Sequence, residues 1–133
     1  MSTTMTAQPA YDITTVTDAD ALLRIMDEVS RELSRPAEAG VVWELFSGED
    51  DEHVLVAGVR GERGCLSWAE PHELQLPQNG LNAEPVEYFT WDGHQYDQDP
   101  GSEVPIATVR TAVREYIATK QRPTCVQWVP APL

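Results

Sequence analysis

The chain has 133 residues, 41% hydrophobic and 23% charged, values that suit one packed domain and exclude the disordered and fibrous classes. Its 22 acidic residues outnumber 9 basic ones, and the net charge of −13 repels nucleic acid and anionic lipid while attracting basic partners. No stretch reaches the ~18 apolar residues of a membrane span, and Met1 to Ala10 lacks the basic start and apolar core of a signal peptide; a cytoplasmic location is expected, with neither membrane nor nucleic acid as partner.

Residues 1–10 are polar and Thr-rich and read as a flexible N-terminus before a single domain over 11–133. A short β-like run, Tyr11 to Val16, comes first. Thr17 is a candidate cap, Asp18 and Asp20 suit the positive end of a helix dipole, and Leu22, Ile25, Met26, Val29 and Leu33 recur at helical spacing until Pro36 and Gly40. Three β-branched or aromatic runs follow, Val41 to Phe46, Val54 to Arg60 and Cys65 to Trp68. Gly48 and the acids Glu49 to Glu52 join the first two, and Gly61 to Gly64 the next, as in consecutive antiparallel hairpins.

Ala69 to Pro85 contains three prolines and the Asn79-Gly80 pair and reads as a long surface loop. Val86 to Trp91 resumes as a strand, Asp92-Gly93 signals a turn, and His94 to Asp97 is the expected return strand. Pro105 suits the first turn of a second helix, with Ser102 as a candidate cap and Ile106, Val109, Val113, Tyr116 and Ile117 on one apolar face. Arg114, Lys120 and Arg122 sit toward its negative pole, Pro123 stops it, and Thr124 to Val129 reads as a last strand. The expected fold is α+β: a mostly antiparallel sheet of about five to seven strands with two helices packed on it.

Enzymatic signatures are weak. His53, His72, His94, Cys65 and Cys125 stand in no nucleophile elbow, and none has the close Cys or His neighbour of a zinc site. The run Asp97 to Glu103 lacks the third early acid of a calcium loop, and no glycine-rich phosphate loop occurs. The reading is a protein that is not an enzyme and needs no metal or cofactor. Both cysteines are expected to be packed thiols, and Trp68 and Trp128 to be structural.

The strongest local signal is charge. Between Gly64 and Val109 there is no Lys or Arg, but there are eight acids: Glu70, Glu73, Glu84, Glu87, Asp92, Asp97, Asp99 and Glu103. Trp91 and Tyr96 flank the turn within that window, and aromatics among carboxylates are typical interface anchors. The candidate partner-binding residues are Trp91, Asp92, His94, Tyr96, Asp97 and Asp99, with Glu103 and the acidic tip including Glu49, Asp50 and Asp51 as a second choice.

The order of motifs completes the reading. A strand ending in Leu66-Ser67-Trp68, the Tyr88-Phe89 strand, the Asp92-Gly93-His94 turn, the Val104-Pro105 helix opening and "AVREYIATKQRPTCVQW" from Ala112 to Trp128 together resemble a family of bacterial immunity proteins. The likeness spans most of the chain after Thr17, although Thr119-Lys120-Gln121 stands where members often have Thr-Gly before Arg-Pro. It implies an α+β immunity protein that binds and neutralises the catalytic domain of a cognate polymorphic toxin of the deaminase fold. A deaminase acting on nucleic acid needs a basic groove, which an acidic protein can cover. Two alternatives share the charge argument: an acidic adaptor or regulatory domain, and immunity against a nuclease toxin.

Overall fold

The computed structural model describes residues 7–33, 35–48 and 52–132. In chain order the elements are β1 (Ala10–Asp12), a single 3-10 turn (Ile13–Thr15), α1 (Ala19–Glu32), β2 (Gly40–Phe46), β3 (Val54–Val59), β4 (Arg63–Glu70), β5 (Glu73–Pro77), β6 (Tyr88–Phe89), β7 (Glu103–Pro105), α2 (Ile106–Thr119) and β8 (Trp128–Pro130). This is the expected α+β arrangement of two helices on a mostly antiparallel sheet, with eight strands among the described residues where about five to seven were expected.

The spatial order is β1-β2-β3-β4-β5-β8. Strands β2, β3 and β4 are successive antiparallel neighbours, with Trp43 opposite Ala57 and Leu55 opposite Trp68. The outer side of β2 is divided between two short parallel partners: β1 pairs with Glu44 to Phe46 and β6 with Gly40 and Val41. The outer side of β4 is divided likewise, β7 taking Arg63 to Cys65 and β5 taking Trp68 to Glu70.

Strand alternation sorts the side chains onto two faces. Val41, Trp43, Leu45, Leu55, Ala57, Val59, Leu66 and Trp68 join the helical residues Leu22, Met26, Val109, Val113 and Tyr116 in the main core. Val42, Val56, Cys65 and Tyr88 form a second, smaller core on the opposite face. Asp20 pairs with Arg114 and Asp27 with Arg110, a cross-helix ladder that sets α1 and α2 antiparallel.

Several local expectations change. The run from Tyr11 yields only a three-residue strand, because the Asp12 carboxylate accepts bonds from the Thr14 amide and hydroxyl and turns the chain into the 3-10 turn. The cap of α1 is Asp18, which accepts from the Asp20 amide, not Thr17. Ser102 does not cap α2: its hydroxyl donates to the Asp99 carbonyl, and Pro105 occupies the cap position. Ala69 to Pro85 is not one loop, since β4 runs to Glu70 and β5 follows at once with Leu76 buried. Thr124 to Cys125 is not strand either. The Glu115 carboxylate accepts from the Thr124 amide and hydroxyl, so the chain turns before β8 begins at Trp128.

Trp68 packs edge-on against Tyr116 with ring centroids 5.5 Å apart, and the Trp128 indole donates to the Pro123 carbonyl at 2.7 Å, so both are structural. Cys65 is a packed thiol, but Cys125 is exposed. Gly64, where β4 passes under α2, shows why this crossing needs glycine. A Cβ there would lie 2.0 Å from the Gly58 carbonyl oxygen and 2.8 Å from Val109. Gly64→Ala is therefore expected to cost about 1–3 kcal/mol through forced backbone shifts, read as a lower urea midpoint at unchanged slope.

Candidate functional site

The chain from Val86 to Gln98 folds into a hairpin on the sheet face opposite the helices. Its rungs are Val86 N to Gln98 O at 3.0 Å, Gln98 N to Val86 O at 2.9 Å and Tyr96 N to Tyr88 O at 2.8 Å. At the tip, Gly93 donates to the Thr90 carbonyl at 2.9 Å and has φ +88°, which permits a three-residue connection of Trp91, Asp92 and Gly93. The Thr90 hydroxyl donates to Asp92 and accepts from the His94 amide, tying the tip from inside.

Tyr88 seats the hairpin. Its fully buried ring lies over Gly40 and Gly58, where an added Cβ would approach ring carbons to 2.3 Å and 2.8 Å respectively. Glycine at both positions lets the aromatic ring rest on bare backbone. The Tyr88 hydroxyl donates to Glu103 Oε2 at 2.7 Å.

Every residue from Trp91 to Asp97 is exposed. Trp91 at 41% and Tyr96 at 37% are two of the three large exposed hydrophobics among the described residues. Around them stand the exposed acids Glu84, Glu87, Asp92, Asp97 and Asp99. Gln95 Nε2 donates to Asp97 at 3.0 Å and to Glu87 at 3.3 Å, gathering two carboxylates about one amide. The Thr90 hydrogen bond holds the Asp92 carboxyl below its ordinary range, and His94 lies 3.6 Å from its Oδ2. Partial burial, with the nearby Glu44 and Asp99 charges, pushes the Tyr96 phenol up and keeps it a neutral donor.

Thus the structure brings Trp91, Asp92, His94, Tyr96, Asp97 and Asp99 together on one exposed element. Glu49, Asp50 and Asp51 lie outside the described residues. Glu103 is corrected: it is fully buried and presents nothing to a partner. Its carboxylate receives Arg60 Nε and Nη2, both at 2.7 Å, and the Tyr88 hydroxyl, with Arg63 at 3.9 Å. Burial pushes its pKa up, but the Arg60 and Tyr88 hydrogen bonds and the two guanidinium charges outweigh this and hold it below the ordinary value. Burial first, then the Glu103 charge, pushes the Cys65 thiol far up, so it is no reactive thiolate.

Sequence reasoning passed over Glu44, the one exposed residue of β2, whose charge reaches Tyr96. A lone acid in an otherwise apolar strand was its available signal. Leu81, 47% exposed, was also missed; it borders a cleft of about 320 Å³ beside Val104, Pro105 and Cys125. Among the described residues, no three His, Cys, Asp or Glu side chains gather as a metal site would require, and no helix is long and apolar enough to cross a membrane.

No curated protein matches the chain. The family model described as immunity protein Imm1 matches residues 9–130, from just before β1 through the last residue of β8, and thus includes both helices and the whole acidic hairpin. The chain therefore belongs to the immunity protein Imm1 family, and the partner that this family implies is a toxin.

Proposed function

We propose that the toxin is a nucleic-acid deaminase and that this protein neutralises it in the cytoplasm by laying the Val86 to Gln98 hairpin across its basic active-site cleft, with no chemistry of its own. The observation that carries this reading is the placing of Trp91 and Tyr96 beside Asp92, Asp97 and Asp99 on one exposed hairpin. An enzyme that handles nucleic acid offers cationic contacts made for phosphates, and the carboxylates occupy those contacts while the aromatics fill the space of the target base. Inhibition is steric and electrostatic.

The test titrates the protein against the catalytic domain of its cognate toxin and follows binding and deamination together at two salt concentrations. Stoichiometric loss of deamination, weaker at high salt, supports the reading. A toxin with nuclease rather than deaminase activity would overturn the assignment of target, and inhibition indifferent to salt would overturn the electrostatic mechanism.

Charge reversal separates steering from anchoring. Asp97→Lys with Asp99→Lys is expected to slow association about tenfold at low salt and to flatten its salt dependence, with a smaller change in dissociation. Stopped-flow association rates at several ionic strengths check this.

A further inference from the structure

The helical side of the molecule carries a feature of opposite sign. A cleft of about 440 Å³ opens where the second half of α1 meets α2 and the β3–β4 turn, and three arginines line it: Arg31, Arg35 and Arg110. A volume of this size lies in the range of small-ligand sites. The chain has only nine basic residues, so three at one cleft is a third of them.

These arginines are poorly satisfied in a protein with acids to spare. Among the described residues no carboxylate pairs with Arg31 or Arg35. Arg110 meets Asp27 only at 3.4 Å to each oxygen. Among the described residues, Arg35 Nε is sealed from solvent without a hydrogen-bond partner, and its Nη1 reaches only the Leu33 carbonyl at 3.4 Å. A guanidinium presents five donors in a fixed fork, and a shielded donor left unmade costs about 1–3 kcal/mol. Ser30, also at the cleft, already donates its hydroxyl to the Asp27 carbonyl. Donors therefore outnumber acceptors here.

We propose that this cleft binds the phosphate groups of a small anionic solute, with Arg35 and Arg31 as the principal contacts and Arg110 released from its long pairing with Asp27 to join them. Phosphate fits because its several oxygens accept forked pairs of N–H donors from more than one guanidinium. The net charge of −13 opposes any anion at long range, so affinity depends on direct contact inside the cleft rather than on the field outside. The site lies on the helical face, away from the acidic hairpin, and does not rest on the toxin reading.

The test is calorimetric titration of the full chain at constant ionic strength with inorganic phosphate, pyrophosphate and, as a non-phosphate dianion, malonate. Saturable binding is expected for both phosphates, tighter for pyrophosphate. Arg31→Gln, an exposed position with no carboxylate partner among the described residues, should weaken it about tenfold, and Arg35→Gln at least as much. Absence of saturable heat, equal affinity in wild type and Arg31→Gln, or preference for malonate would each overturn the assignment.

Discussion

Replacing Glu103 by alanine should lower folding stability by about 3–5 kcal/mol, because it strips a buried guanidinium contact of its counter-charge and leaves the Tyr88 hydroxyl without its acceptor. The Arg60 side chain is 26% exposed and can relax partly toward water, which sets the expectation toward the lower end of that range. Glu103→Gln keeps the volume and an acceptor for Tyr88 but loses the charge, and about 2 kcal/mol is expected. The two variants also differ from wild type in pH response. Glu103 in the folded protein titrates below its ordinary 4.5, so the stabilisation it provides is fully present above that value and is lost as pH falls through the lower folded value. The stability gap between wild type and Glu103→Gln should stay constant above about pH 5 and close in more acidic solution. Urea melts across that window read the gap directly. A gap that persists to full protonation would mean that something other than the charge of the carboxylate separates the two proteins.

Trp91→Ala is the largest expected effect on partner binding. Trp91 stands at the hairpin tip, partly exposed and next to Asp92, a position from which an aromatic can enter a partner's pocket. Under the proposed binding mode its truncation should cost at least about 2 kcal/mol, roughly 30-fold in Kd, chiefly as faster dissociation. Folding stability should change by no more than about 0.5 kcal/mol, since Trp91 sits at the hairpin tip and belongs to neither core cluster. Surface-bound toxin domain and a set of dissociation traces would show it. Wild-type residence time in Trp91→Ala would remove the hairpin tip from the interface.

These two residues lie in the same acidic window, Glu103 buried and Trp91 exposed, which shows where sequence reasoning stops. The Asp92-Gly93 pair marked the turn and hence placed Trp91 outside, because a tight connection demands a residue tolerant of positive φ and its neighbours must face solvent. Nothing local distinguished Glu103 from Asp97 or Asp99. Its partner Arg60 stands 43 residues earlier, and only strand pairing brings β7 beside the start of β4. The main helices and the three central strands were legible from periodicity and β-branched runs. Strand β5 was not, since Pro71, Pro77 and Pro85 suggested a continuous loop, although the first sits in a turn and the second ends the strand. The parallel contacts of β1 and β6 with β2 had no local signature either, because parallel partners come from distant segments.

The division of the outer sides of β2 and β4 between pairs of short strands bears on how this protein can meet other chains. The sheet's terminal strands, β1 and β8, are three residues each, and Pro130 in the latter has no amide hydrogen to offer. An incoming extended segment would find too short a template to add itself as another strand. A molecule that displays tryptophan and tyrosine on its surface is thereby kept from stacking edge to edge into fibres, and under the proposed binding mode recognition is left to side chains at the hairpin tip rather than to backbone pairing.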